Sequence, residues 1–188
     1  ILADYLRKNK PGSRLMVLDA NADIVAERTT FTNAFNVTHA GIIEYHNNVE
    51  VQSIDATAGV VHTNIGNINA ALINAIPPHR AGSIIAASGL NNVDARWAGV
   101  NVLTYESSAA PGIHVIGDSS ATGQPKAGHI ANQEAKVCAQ AIADLLAGRA
   151  LDQEPMTNSA CYSTITMSTA SWLTAVFAYD PATASMKL

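Results

Sequence analysis

Cysteine, excess basic charge and long apolar runs are all scarce in this sequence, and each shortage removes a class of protein. Two cysteines among 188 residues, Cys138 and Cys161, cannot build a multi-disulfide scaffold, and their spacing suits no zinc motif. The six histidines, His39, His46, His62, His79, His114 and His129, lack helical metal-ligand spacing, so no metal site is expected. Eleven Lys and Arg against fifteen Asp and Glu leave a formal charge of −4. That balance offers no basic patch of the kind that holds nucleic acid. The longest apolar stretches are broken by Asn, Gly, Ser or charge well before the roughly 18 to 20 residues that span a bilayer, so no transmembrane segment is expected.

No methionine opens the chain. Ile-Leu-Ala-Asp-Tyr-Leu-Arg-Lys reads as helix interior, with Leu2 and Leu6 on one side, so the amino terminus is expected to lie upstream. A missing signal peptide then says nothing about export. The carboxyl end is expected to be cut as well.

Pro11-Gly12 should stop the first helix, and Arg14-Leu15-Met16-Val17-Leu18-Asp19 reads as a buried strand ending in an acid. Dinucleotide folds hold a ribose hydroxyl with such an acid, but no glycine-rich turn precedes it here, and acids at strand ends are common. Residues 21–36 read as a loop with a short helical turn. Val49–Ile54 and Gly59–Thr63, separated by Asp-Ala-Thr-Ala-Gly, predict an antiparallel hairpin. Ala70–Ile76 reads as a further strand, stopped by Pro77 and Pro78. Ser83–Leu90 predicts a short helix, and Val100–Thr104 and Ile113–Ile116 predict strands. Asn132–Leu146 is the clearest helix, with Ala135, Cys138, Ile142 and Leu145 on its apolar face, and Glu134, Lys136, Gln140 and Asp144 elsewhere. A boundary falls near 150, where composition turns to Ser, Thr, Met and aromatic residues.

Chemistry concentrates between residues 104 and 128. A strand delivers Gly117, whose missing side chain lets a ligand approach the backbone, and then Asp118, whose carboxylate can accept a hydrogen bond from a polyol. Pro125-Lys126-Ala127-Gly128 and a helix follow. This order resembles the second FAD motif of two-dinucleotide-domain flavoproteins. In that superfamily the strand-end Asp holds the ribityl chain, and the following helix aims its start at the pyrimidine edge of the flavin. Free N–H groups there, helped by Lys126, would stabilise the negative charge of reduced flavin. By themselves, Gly-Asp reads sooner as a capped turn and Lys126 as a solvated charge, since short motifs are weak.

Ile76-Pro77-Pro78-His79-Arg80-Ala81-Gly82, Tyr105-Glu106-Ser107-Ser108, Gly112-Ile113-His114-Val115-Ile116-Gly117-Asp118, Pro125-Lys126 and Ala160-Cys161-Tyr162-Ser163 occur in one order. This set resembles the flavoprotein subunit of flavocytochrome c sulfide dehydrogenase, from Ile1 to about Asp180. The resemblance implies an α/β chain with a partial two-dinucleotide-binding-domain (glutathione reductase-like) flavoprotein fold, incomplete at both ends. Residues 1–78 would be the latter part of a nicotinamide-like domain, 79–150 the second half of the FAD-binding domain, and 151–188 the start of a carboxyl-terminal interface region. It implies FAD held in part by Pro77, Pro78, Gly117, Asp118, Lys126 and Ala127, and Cys161 as one member of a redox-active cysteine pair whose other member lies upstream. It further implies sulfide as substrate, a cytochrome c subunit as electron acceptor, a periplasmic location, and no turnover by this chain alone. Ser119, Gln124, Ala127 and His129 depart from the family's pattern, so backbone contacts near Lys126 and Ala127 are expected to outlast side-chain ones.

Other readings stay open. A sulfide:quinone or NADH-dependent flavoprotein would replace the cytochrome with quinone or nicotinamide, and a non-catalytic electron-transfer or interaction module would keep only a vestigial half-site. Cys138, on an apolar helix face, reads as a small core hydrophobe. Trp97 and Trp172 read as packing residues.

Overall fold

The opening helix, α1 (Leu2–Asn9), ends where Pro11 and Gly12 follow it, since proline lacks a helical donor and glycine turns the chain. The computed structural model describes residues 1–188 and divides into two compact units. One is Ile1–Pro77 with Tyr162–Leu173, the other Pro78–Cys161 with Thr174–Leu188.

In the first unit β1 (Leu15–Leu18) lies parallel to β2 (Ile43–His46), with Leu15 opposite Ile43 and Leu18 opposite His46. Parallel strands need a crossover. Here it contains α2 (Arg28–Asn33), which widens into a π-helical turn over Ala34–Thr38. Next comes an antiparallel meander of β3 (Val51–Asp55), β4 (Val60–Thr63) and β5 (Gly66–Asn69). The Asp55 carboxylate caps its first turn by accepting the amides of Thr57 and Ala58, each at 2.9 Å. Gly59 is required there: its φ is +68°, and a Cβ would meet the Ala70 carbonyl oxygen at 2.9 Å. Glu27 accepts hydroxyl hydrogen bonds from Ser163 and Ser171, and these hold its carboxyl below the ordinary value.

In the second unit α3 (Ser83–Ala87), two-residue strands β6 (Val100–Asn101) and β7 (Glu106–Ser107), and the long α4 (Gly128–Leu146) follow in order. Three strands close the chain: β8 (Met156–Thr164), β9 (Ala170–Asp180) and β10 (Ser185–Lys187), in the sheet order β10-β9-β8, with Tyr162–Leu173 counted in the first unit and the rest in the second. Two apolar clusters form its core. Ile85, Leu90, Ala98 and Val115 make one, and Val102, Ile130, Phe177 and Met186 the other.

Four expectations need correction. Val100–Thr104 is a strand only over Val100–Asn101, after which the chain turns over 102–105. Ala70–Ile76 forms no strand. Leu72 and Ile76 are 87% and 78% exposed, and the meander is completed instead by the polar β5, which the sequence did not suggest. Ile113–Ile116 is an extended run and not a strand: only His114 bridges, to Glu106, while the Val115 amide bonds the Tyr105 carbonyl at 2.9 Å. Finally, α4 begins at Gly128, four residues before the expected start. Ile130, 2% exposed in the second cluster, draws this poor helix-forming stretch into the first turn.

Tyr105 is fully buried at φ +59° with an unpartnered hydroxyl. Burial, then the charges of Glu134 and Cys138, push its phenol far above the ordinary value. A buried donor without an acceptor costs stability. Tyr105→Phe should therefore raise the unfolding free energy by about 1 kcal/mol, measured by urea denaturation. A clear loss would show that the hydroxyl has a partner in solution.

Candidate functional site

The residues singled out between 104 and 128 converge on one side chain that the sequence placed wrongly. Gly117–Ser119 forms a 3-10 turn. Gly117 adopts φ +69°, and a Cβ there would press on the Ala131 Cβ at 3.2 Å, so only glycine lets the turn sit against α4. Its amide donates to Glu134 Oε2. The Ser120 hydroxyl donates to the Gly117 carbonyl at 2.8 Å and reaches the same carboxylate at 3.5 Å, while Thr122 donates to Glu134 Oε1 at 3.2 Å. Ala98 completes the frame: its amide bonds the Ser119 carbonyl at 3.0 Å, and its carbonyl accepts the Ala121 amide at 2.8 Å.

Glu134 is 1% exposed, not on an outer face of the helix. Its spacing held the signal: Ile130, Glu134 and Cys138 succeed one another by four, so they share a face, and all three are buried. Asp144, also assigned elsewhere, is buried too, with Gln140 and Arg149 bonded to it at 2.9 and 2.7 Å.

Asp118 is exposed on this fixed turn. Lys126 is not a freely solvated charge. Its ammonium donates to the Ser120 carbonyl at 2.8 Å and lies 4.0 Å from the centre of the Trp97 ring, a cation–π contact. Desolvation lowers its pKa against the opposing charges of Asp118 and Glu134. Ala127 is the extended N-cap of α4 and packs on the second apolar cluster. No side chain caps this end and its first turn holds no acid. The first turn's amides thus lack intrahelical acceptors and form a site suited to negative charge.

Cys161 is a free, half-buried thiol on β8, with its sulfur 3.6 Å from the Ser159 hydroxyl. The amide of the preceding Ala160 donates to His129 Nδ1 at 3.3 Å, which brings this strand to the first turn of α4. The structure thus gathers Gly117, Asp118, Lys126, Ala127 and the strand of Cys161 around one helix end. Pro77 and Pro78 are exposed and stand outside any helix or strand. Cys138 is buried on α4, and desolvation raises its thiol pKa.

In the first unit, Asp19 follows β1, but its carboxylate accepts the Asn21 amide at 2.9 Å, the Asn21 side chain at 2.8 Å and the Tyr45 hydroxyl at 2.8 Å. Burial raises its pKa, yet these bonds leave it below the ordinary value. The carboxylate is taken up by its own loop and by Tyr45 of β2.

Burial penalises the charged form of Glu134 most. The Gly117 amide, the Thr122 hydroxyl, the Lys126 charge and the Ser120 hydroxyl oppose it, and the net result is a pKa above the ordinary 4.5. The folded state therefore keeps this proton to higher pH than the unfolded chain. Stability should fall as pH rises from the unfolded value through the raised folded one. Glu134→Gln should abolish that decline while lowering stability at acid pH by no more than about 1–2 kcal/mol, read from urea midpoints across the window. Identical slopes in both proteins would assign the titration to another group.

Residues 1–77 match the family described as sulfide dehydrogenase (flavocytochrome c) flavoprotein chain, central. Among solved structures, a chain of the Tetrahymena thermophila mitochondrial ATP synthase F1Fo composite tetramer superposes with a TM-score of 0.68 at 14% identity, covering 88% of this chain and 41% of its own. Reduced Bacillus anthracis CoADR-RHD superposes at 0.51 and 14% identity, covering 95% of this chain and 39% of its own. At such identities the likeness is one of fold, and the chain spans about two-fifths of each of these relatives. The family whose central region residues 1–77 resemble is thus the same one that the sequence motifs resemble.

Proposed function

We propose that the whole protein is an FAD-dependent oxidoreductase that oxidises sulfide and passes the electrons to a cytochrome c subunit. The observation that carries this reading is the convergence of the Gly117-Asp118 turn, the uncapped start of α4 and the Cys161 strand. The family description of residues 1–77 supports it. In this reading residues 1–78 are the latter part of a nicotinamide-like domain, 79–150 the second half of the FAD domain, and 151–188 the start of an interface region. The family also supports a periplasmic location.

The residues present fit a flavin. Gly117 leaves the turn without a side chain where a Cβ would press on α4. The exposed Asp118 carboxylate would accept from a ribityl hydroxyl, and the first amides of α4, after Ala127, would face the pyrimidine edge. Lys126 adds positive charge nearby while it stays bonded to Ser120. Pro77 and Pro78 enter as flavin-wall residues through the family resemblance alone. Bound FAD would supply a two-electron acceptor that can pass electrons on singly. Cys161 would contribute sulfur chemistry: hydrosulfide opening a disulfide that includes Cys161 leaves a persulfide on one sulfur and a thiolate on the other.

The NADH-dependent alternative draws less support, because the Asp19 carboxylate is already occupied by Asn21 and Tyr45.

Two substitutions in the full protein test the reading. Asp118→Ala should weaken FAD binding roughly 10- to 100-fold, the worth of a hydrogen bond to a charged group, seen as flavin absorbance lost on gel filtration. Cys161→Ser should keep the flavin but stop its bleaching by sulfide under anaerobic conditions. Full flavin content in the first variant would remove the ribityl assignment, and normal bleaching in the second would remove the redox role of Cys161.

A further inference from the structure

The side chains that depart from the family's pattern include Gln124 and His129, and both hold β8. Gln124 is 6% exposed, and its amide donates to the hydroxyl of Thr157, which is 1% exposed on β8. The backbone N–H of Gln124 donates to Thr122 Oγ1 at 3.3 Å, and Thr122 in turn donates to Glu134 at 3.2 Å. Since Glu134 also accepts the Gly117 amide, an unbroken line of hydrogen bonds joins β8 to the Gly117-Asp118 turn. Three residues along the strand, the Ala160 amide donates to His129 Nδ1. A backbone amide can only donate, so this imidazole carries its proton on Nε2.

Pairing with β9 holds β8 in its sheet, and Gln124 ties it at Thr157. The tie at Ala160 is the one made directly to the first turn of α4, one residue before Cys161. We propose that His129 is a positioning residue for Cys161, fixing the thiol's strand on the first turn of α4. The proposal rests on the reading that Cys161 is the redox thiol and that this helix start faces the flavin. His129 acts through a single acceptor atom. Any side chain that places an acceptor at the same point should replace it, and one that cannot should leave the strand freer to shift against α4.

The test compares His129→Leu, which removes the acceptor, with His129→Asn, whose Oδ1 can stand in for Nδ1, in the full FAD-loaded chain. Two quantities are measured: hydrogen exchange of the Ala160 amide, and the rate of flavin bleaching by sulfide in an anaerobic single turnover. His129→Leu should speed the exchange and slow the bleaching, each roughly five- to tenfold, the worth of one hydrogen bond, with flavin content unchanged. His129→Asn should restore both. Wild-type exchange and bleaching in the Leu variant would overturn the proposal, and so would a failure of Asn to rescue. If sulfide fails to bleach the wild-type flavin, the functional reading falls instead, and the Ala160 exchange still decides whether His129 fixes the strand.

Discussion

A carboxylate that is 1% exposed must be given hydrogen-bond donors, and the second unit is organised around that demand. Glu134 receives donors from Gly117 and Thr122, with Ser120 within reach, all drawn from the loop before α4. An unpaired buried charge would cost several kcal/mol, so the loop is not free to adopt other shapes while the helix stays packed. The left-handed Gly117 and the 3-10 turn follow from aiming one backbone amide at a side chain seventeen residues on. Asp118, next in sequence, is left exposed on a backbone that cannot drift.

This arrangement also decides where positive potential lies. Lys126 is the obvious candidate in the sequence, yet its ammonium is bonded to the Ser120 carbonyl and set against Trp97. Two carboxylates, Asp118 and Glu134, already act on it. Its charge therefore acts from a fixed position, beside the uncapped amides of α4. Backbone amides are insensitive to side-chain replacement.

Much of the local structure was legible because it rests on local chemistry. Pro11-Gly12 ends α1, the Asp55 turn makes a hairpin, and Gly148 follows α4, each through constraints within a few residues. The failures come from tertiary contacts. Ala70–Ile76 has the composition of a strand but no neighbour to pair with, and α4 starts at Gly128 because Ile130 has a core to enter. Glu134 was misplaced because a charged residue is by default assigned to solvent. Its place in the Ile130–Glu134–Cys138 series pointed inward, and only the donors of the 117–122 loop, invisible in a linear reading, make that burial tolerable. The motif was readable as a sequence, but the carboxylate that shapes it was not.

The two cysteines show the same physics with opposite results. Cys138 lies on the helix face beside Glu134, where burial raises its thiol pKa and so suppresses the thiolate on which reactivity depends. Disulfide exchange at that position would have to open the face of α4 that also buries Ile130 and Glu134. Cys161 stands on a strand, half-buried beside a hydroxyl, and can be approached without disturbing a core. In the proposed function a cysteine partner for Cys161 therefore comes from elsewhere than Cys138. The ties that hold the strand of Cys161 run to the loop that carries Asp118 and to the start of α4. The Gly117-Asp118 turn and the strand of Cys161 are joined by one set of hydrogen bonds that passes through Glu134, so a displacement of either is felt by the other.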